Sequence, residues 1–160
     1  PGAAANGCVS DSLVSQVDVF PTLCDLLGLA KPTRLQGSSF AGLFSNPHTD
    51  HREEVFAEIN FRTSYEPARC VRTSRYKYIR YFDESYPGVN VSNMDNSSPK
   101  QLLLDNGLIS QTKPAEALYD LLHDPNERRN LIGTAQGETV AENLRQRLLQ
   151  WMIDTSDPLL

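Results

Sequence analysis

Cysteine, histidine and long apolar runs are all scarce in this 160-residue chain, and each scarcity closes off a class of function. The three cysteines, Cys8, Cys24 and Cys70, are too few and too far apart for a zinc motif or a dense disulfide framework. Their odd number leaves at least one thiol free in a monomer. Cys24 falls in an apolar helical pattern and Cys70 in a strand pattern, where a thiol ordinarily packs in the core. The three histidines, His48, His51 and His123, form no paired ligand spacing on a single element, so no metal is expected within the chain. No apolar run approaches the roughly 20 residues that cross a bilayer, so no membrane partner is expected. The net charge of -5 lacks the basic footprint of a general nucleic-acid binder. Residues 1–7 have neither an initiator Met nor the basic start and apolar run of an intact signal peptide, as expected for the middle of a longer polypeptide.

What the chain does have is concentrated in residues 67–82, where β-branched and aromatic side chains flank the polar Thr73-Ser74-Arg75. This predicts a β-hairpin with arms at 69–73 and 76–82. Along the second arm Tyr76, Tyr78, Arg80 and Phe82 face one way and Lys77, Ile79 and Tyr81 the other. Arg69, Arg72, Arg75, Lys77 and Arg80 place five cations in an otherwise acidic chain, which suits anion binding. Long stems lying over apolar surface with their charged heads in water explain the same pattern.

Before the hairpin, Asp18 can cap a helix over 18–27, with Pro21 in its first turn, where the missing N–H costs nothing, and Gly28 at its end. Residues 46–51 read as a surface loop. Val55, Ala57 and Ile59 then alternate with Phe56, Glu58 and Asn60, predicting a strand at 54–60. Between that strand and the hairpin, Arg62, Tyr65 and Arg69 are placed to converge on one ligand. The alternative is that Arg62 and Arg69 pair with Glu58 and Glu66, contributing about 0 to 1 kcal/mol each. Residues 83–113 form a long excursion rich in Asn, Ser, Pro and Gly, with a short helix at Ser98-Pro99 closed by Gly107. A strand at 117–121 follows, and Asp124-Pro125-Asn126-Glu127 has the residues of a helix start. The last helix, 138–154, carries Val140, Leu144, Leu148, Trp151 and Met152 on one face. These pieces predict an α+β fold, a small antiparallel sheet of about four strands covered by the long C-terminal helix.

In this order and spacing, Leu13-Val14-Ser15-Gln16-Val17-Asp18-Val19-Phe20-Pro21-Thr22, Val55-Phe56-Ala57-Glu58, Arg69-Cys70-Val71-Arg72-Thr73, Arg75-Tyr76-Lys77-Tyr78-Ile79, Glu116-Ala117-Leu118-Tyr119-Asp120-Leu121 and Asp124-Pro125 resemble the C-terminal region of the sulfatases of the alkaline-phosphatase superfamily. Pro67-Ala68-Arg69 and the closing Trp151 with Asp157-Pro158 look most like the heparan N-sulfatase (sulfamidase) branch. The resemblance implies that residues 1–47 end a larger α/β catalytic domain, to which the leading helix belongs, and that 48–160 form the C-terminal subdomain. It implies hydrolysis of sulfate esters or sulfamates of a sulfated sugar, with formylglycine and calcium in the complete enzyme. Partners would be the upstream catalytic domain and the carbohydrate, with a homo-oligomer left open, in an extracytoplasmic setting (periplasmic, secreted or lysosomal).

Formylglycine arises in a Cys/Ser-x-Pro-x-Arg motif, and Cys8, Cys24 and Cys70 have neither the Pro nor the Arg, while Ser45 and Ser85 have the Pro without the Arg. The 160 residues alone are therefore expected to be inactive. Where many relatives of this family place a His, this chain has Arg62, whose permanent charge and fork of donors suit a sulfate or carboxylate. With Tyr65 and Arg69 it is the candidate substrate-binding set. A free-standing anionic-glycan module and the tail of a phosphomonoester or phosphonate hydrolase are the alternatives.

Overall fold

The computed structural model describes residues 7–85 and 87–160, so Pro1–Asn6, on which the reading of the N-terminal stretch rests, and Tyr86 lie outside the described residues. The helices are α1 (Val19–Leu27), α2 (Ser98–Asp105) and α3 (Ala135–Asp154), and the strands β1 (Glu54–Phe61), β2 (Tyr65–Thr73), β3 (Tyr76–Tyr81) and β4 (Glu116–Asp120). The chain divides into two units, one running through Val55 and including Arg72–Ser74, the other holding Phe56–Val71 and Arg75–Leu160.

In the first unit Asp18 occupies the cap position of α1, as its sequence predicts, but its carboxylate is used elsewhere. It is fully buried and accepts from the backbone N–H of Ser15 and of Ser38, both at 2.9 Å, from Arg52 Nε at 2.7 Å and from Arg52 Nη2. Burial opposes its charge, yet these donors outweigh burial and hold the carboxyl well below the usual carboxylate range. The chain after α1 is thereby tied back to the helix start. Gly37 makes the approach feasible, since a Cβ there would overlap the Val17 carbonyl.

In the second unit the strands lie in the order β1-β2-β3-β4. Links as short as residues 62–64 and Ser74-Arg75 can join only antiparallel neighbours. β4 pairs antiparallel with β3, placing Tyr78 opposite Leu118 and Arg80 opposite Glu116. Val71, Tyr78 and Leu118 on one sheet face pack with Leu131 and with Ala141, Leu144, Leu148 and Met152 of α3. Those α3 residues recur at three and four positions, and burying each large side chain contributes roughly 1.5–3 kcal/mol. At the margin Phe56 stacks on Trp151 with centroids 5.0 Å apart. Tyr76 and Phe82 also pack against this core, as the predicted alternation requires.

The differences from expectation are local. β2 begins at Tyr65 rather than 69, its Pro67 carbonyl still accepting from Phe82 N–H at 3.0 Å. α3 begins at Ala135 rather than 138, because the Thr134 side chain caps it by accepting from Gly137 N–H at 3.1 Å. The helix start read at Asp124 is a turn. Glu127 there has a φ of 54°, its N–H meets the Asp124 carbonyl, and Asp124 Oδ2 accepts from Arg129 N–H at 2.8 Å, so the carboxylate closes a loop instead of capping a helix. The cap of α2 is Ser97, one residue earlier than read.

Candidate functional site

The link between β1 and β2 consists of Arg62, Thr63 and Ser64, and its conformation is set from thirty residues away by Asn93. Asn93 Oδ1 accepts from the N–H groups of Thr63 and Ser64 at 2.9 and 3.0 Å, and its Nδ2 donates to Glu66 at 2.9 Å. The Asn93 carbonyl accepts from Arg62 Nη1 at 2.8 Å, while Arg62 Nη2 donates to Asp95 Oδ1 at 2.9 Å. Ser64 Oγ accepts from Asn90 Nδ2 at 2.5 Å and Ser92 Oγ at 2.7 Å. Residues 90–95 of the excursion are thereby stitched to all three residues of the link.

Arg62 is held in orientation yet remains 54% exposed, and its partner Asp95 is 84% exposed. An exposed pair of this kind contributes about 0–1 kcal/mol, so a stronger anion can displace Asp95 from the guanidinium. Tyr65 opens β2 beside the link and is half exposed, with no hydrogen bond to its hydroxyl among the described residues.

Arg69 is placed differently. It is fully buried, donating from Nε and Nη2 to Asp157 at 2.5 and 3.0 Å and from Nη1 to the carbonyls of Ile59 and Ala68 at 3.2 and 3.0 Å. Glu58 is 3.6 Å from the same Nε. The hydrogen bonds from Arg69 hold the Asp157 carboxyl below its ordinary range, against the opposing effect of burial. With its donors committed, Arg69 joins the C-terminal residues to the sheet, and of the three candidates Arg62 and Tyr65 are the ones open to a ligand.

Of the other hairpin cations Arg72 is exposed, and the remaining three are engaged. Arg75 meets Asp120 at 2.8 Å, Lys77 meets Glu127 at 2.8 Å, and the Arg80 guanidinium lies 4.8 Å from the centre of the Phe82 ring. On the helix side Arg145 binds Glu116 at 2.6 Å and Glu138 at 3.1 Å, and Tyr78 donates to Glu116 at 2.8 Å. Carboxylates occupy Arg69, Arg75 and Lys77 and a ring face meets Arg80, so these four cations do not form a free anion patch.

Among the described residues no group of three or more His, Cys, Asp or Glu side chains is arranged to hold a metal ion. Cys24 is buried and Cys70 half-buried in β2, and neither they nor Cys8 has the sequence around it that formylglycine formation requires. The residues present therefore do not fit calcium or formylglycine. The support of Arg62 by Asn93 and Asp95 was not legible in the sequence. The Asn-, Ser-, Pro- and Gly-rich composition marks 83–113 as an excursion but not which strand link it meets.

The profile of the family described as "N-sulphoglucosamine sulphohydrolase, C-terminal" matches residues 1–97. An ulvan-active sulfatase of Formosa agariphila is 27% identical over 99% of this chain and 32% of its own length. A delta 4,5-hexuronate-2-O-sulfatase of Bacteroides thetaiotaomicron is 30% identical over 82% of this chain and 22% of its own. The chain thus spans about a third or less of the curated relatives it matches. A protein solved in complex with its substrate D-glucosamine-2-N,6-O-disulfate superposes with a TM-score of 0.72 at 21% identity, covering 98% of this chain and 28% of that one, which shows a shared fold.

Proposed function

The chain belongs to the N-sulphoglucosamine sulphohydrolase C-terminal family, the C-terminal region of sulfatases, and from that premise we propose that it completes an enzyme hydrolysing sulfate esters or sulfamates of a sulfated sugar. Its contribution is the sheet and covering helix, and a substrate-binding rim at the β1–β2 link. The observation that carries this reading is the Arg62 guanidinium, oriented by the Asn93 carbonyl and countered, among the described residues, only by the exposed carboxylate of Asp95. Such a fork donates two parallel hydrogen bonds to a sulfate or carboxylate. Tyr65 supplies an uncommitted hydroxyl beside it, and Arg69 supports the rim from within the sheet.

Residues 1–47 close the catalytic α/β domain and 48–160 form the subdomain attached to it. In α1, Phe20, Leu23, Leu26 and Leu27 are 48–68% exposed, an apolar surface that the upstream domain would cover. The formylglycine nucleophile and calcium belong to that upstream domain, and the 160 residues alone are inactive. The working compartment is extracytoplasmic, and no helix of the described residues is long and apolar enough to cross a membrane.

The test is release of inorganic sulfate, read by ion chromatography, from sulfated saccharides incubated with the full-length gene product and, separately, with residues 1–160. Sulfate from the first alone supports the proposal. Sulfate from residues 1–160, or from neither, contradicts it.

A further inference from the structure

On the sheet face opposite α3, the segment spanning residues 87–114 arches over β2 and β3 and leaves a cavity of about 440 Å³. That volume lies within the roughly 300–1,000 Å³ of small-molecule sites. The two ends of the roof are tied to each other. Gly88 bridges to Thr112, Lys113 N–H donates to the Pro87 carbonyl at 2.7 Å, and Asn93, which lines the cavity, also fixes the Arg62 link. Asn93, whose carbonyl accepts from Arg62, is thus shared by the cavity wall and the guanidinium already described.

Its walls combine apolar surface from Ile59, Val89 and Met94 with hydrogen-bonding groups that the protein leaves unused. The Tyr81 hydroxyl and the Gln111 side-chain amide have no hydrogen-bond partner among the described residues, and both residues line the cavity. Burial pushes the Tyr81 phenol up to about 12, so it is present as a neutral donor and acceptor. Among the described lining residues the one cation, Lys113, is 2.9 Å from the Glu66 carboxylate and lies over the Tyr81 ring at 5.2 Å. Because Lys113 and Glu66 cancel, the cavity offers a sulfate or carboxylate no net attraction. It offers a hydroxyl-bearing ring an apolar wall and uncommitted donors and acceptors.

We propose that this cavity is a saccharide subsite, taking an uncharged pyranose unit of the substrate next to the anionic unit that Arg62 meets. The assignment rests on the sulfatase reading for its placement in a substrate chain. It goes further in naming a second binding site and the chemistry that site selects, namely ring hydroxyls rather than sulfate.

The experiment uses the full-length enzyme and two probes of the same sulfated repeat, a monosaccharide and a tetrasaccharide, comparing wild type with Tyr81→Phe/Gln111→Ala and with Met94→Trp, which fills the cavity. The quantity read is the ratio of kcat/KM for tetrasaccharide to monosaccharide. A fall of about tenfold in that ratio in both variants is expected, since each lost hydrogen bond weakens only the longer substrate. An unchanged ratio overturns the subsite while leaving sulfate release, and hence the sulfatase reading, intact. Should the wild-type enzyme release no sulfate, that reading fails separately. Saturation-transfer NMR with the unsulfated tetrasaccharide then decides the subsite: ring-proton signals that vanish in Met94→Trp support it, and none in wild type overturns it.

Discussion

Removing the Asp157 carboxylate by Asp157→Ala tests the assignment of Arg69 as an internal tie. Asp157 is 2% exposed at its side chain and Arg69 fully buried, so the substitution strands a guanidinium without its bidentate partner. Breaking one side of a buried pair costs about 3–5 kcal/mol. Here the Ile59 and Ala68 carbonyls remain, and the half-exposed Glu58 at 3.6 Å offers a weaker substitute, which places the cost near the low end, about 3 kcal/mol. Hydrogen exchange read by mass spectrometry on the full-length protein reports this locally. Amides of β2 and of the C-terminal turn of α3 should exchange on the order of a hundredfold faster. Replacing both partners, Arg69→Met with Asp157→Leu, should recover most of the protection, because a packed apolar pair has no stranded charge. Protection in Asp157→Ala within threefold of wild type, or a double variant as poor as the single, would refute the reasoning.

At the rim, Arg62→Ala should raise KM about tenfold or more with a smaller loss in kcat, whereas Asp95→Asn, by freeing the fork, should lower KM up to about fivefold; steady-state kinetics on the full-length enzyme separates the two. Gly137→Ala should destabilise the protein although alanine favours helices by about 0.5–1 kcal/mol, because its Cβ would overlap the Leu131 carbonyl. Gly42→Ala, where a Cβ meets nothing within 4 Å, is the matched control in a thermal melt. Burial raises Tyr78 and Tyr81 above the ordinary phenol value of about 10, so their folded-state contribution is complete below pH 10 and fades as pH rises beyond it. A denaturant midpoint that falls above pH 10 in wild type, and less steeply in Tyr81→Phe, is the expected outcome.

The strand alternation through Tyr76, Tyr78 and Phe82 and the apolar spacing of Leu144, Leu148 and Met152 were readable, because periodicity reports which face is buried without naming what buries it. The start of α3 was obscured by Gly137, a poor helix former retained for close packing on Leu131. The false helix start at Asp124 shows the converse: a capping carboxylate reads the same whether it meets a first helical turn or the N–H of Arg129 in a loop. At the site, the charge and exposure of Arg62 were legible in outline. Its counter-ion Asp95, 33 residues on, and the burial of Arg69 against Asp157, 88 residues on, depend on tertiary contacts that no local pattern encodes.

The central claim is that these residues supply scaffold and rim to a sulfatase whose nucleophile lies elsewhere in the polypeptide. Peptide mapping of the full-length gene product by mass spectrometry tests it most directly. The account predicts one peptide outside residues 1–160 in which a Cys or Ser has become the formylglycine aldehyde, and unmodified peptides throughout 1–160. A full-length product carrying that aldehyde nowhere, or carrying it within these 160 residues, would contradict it.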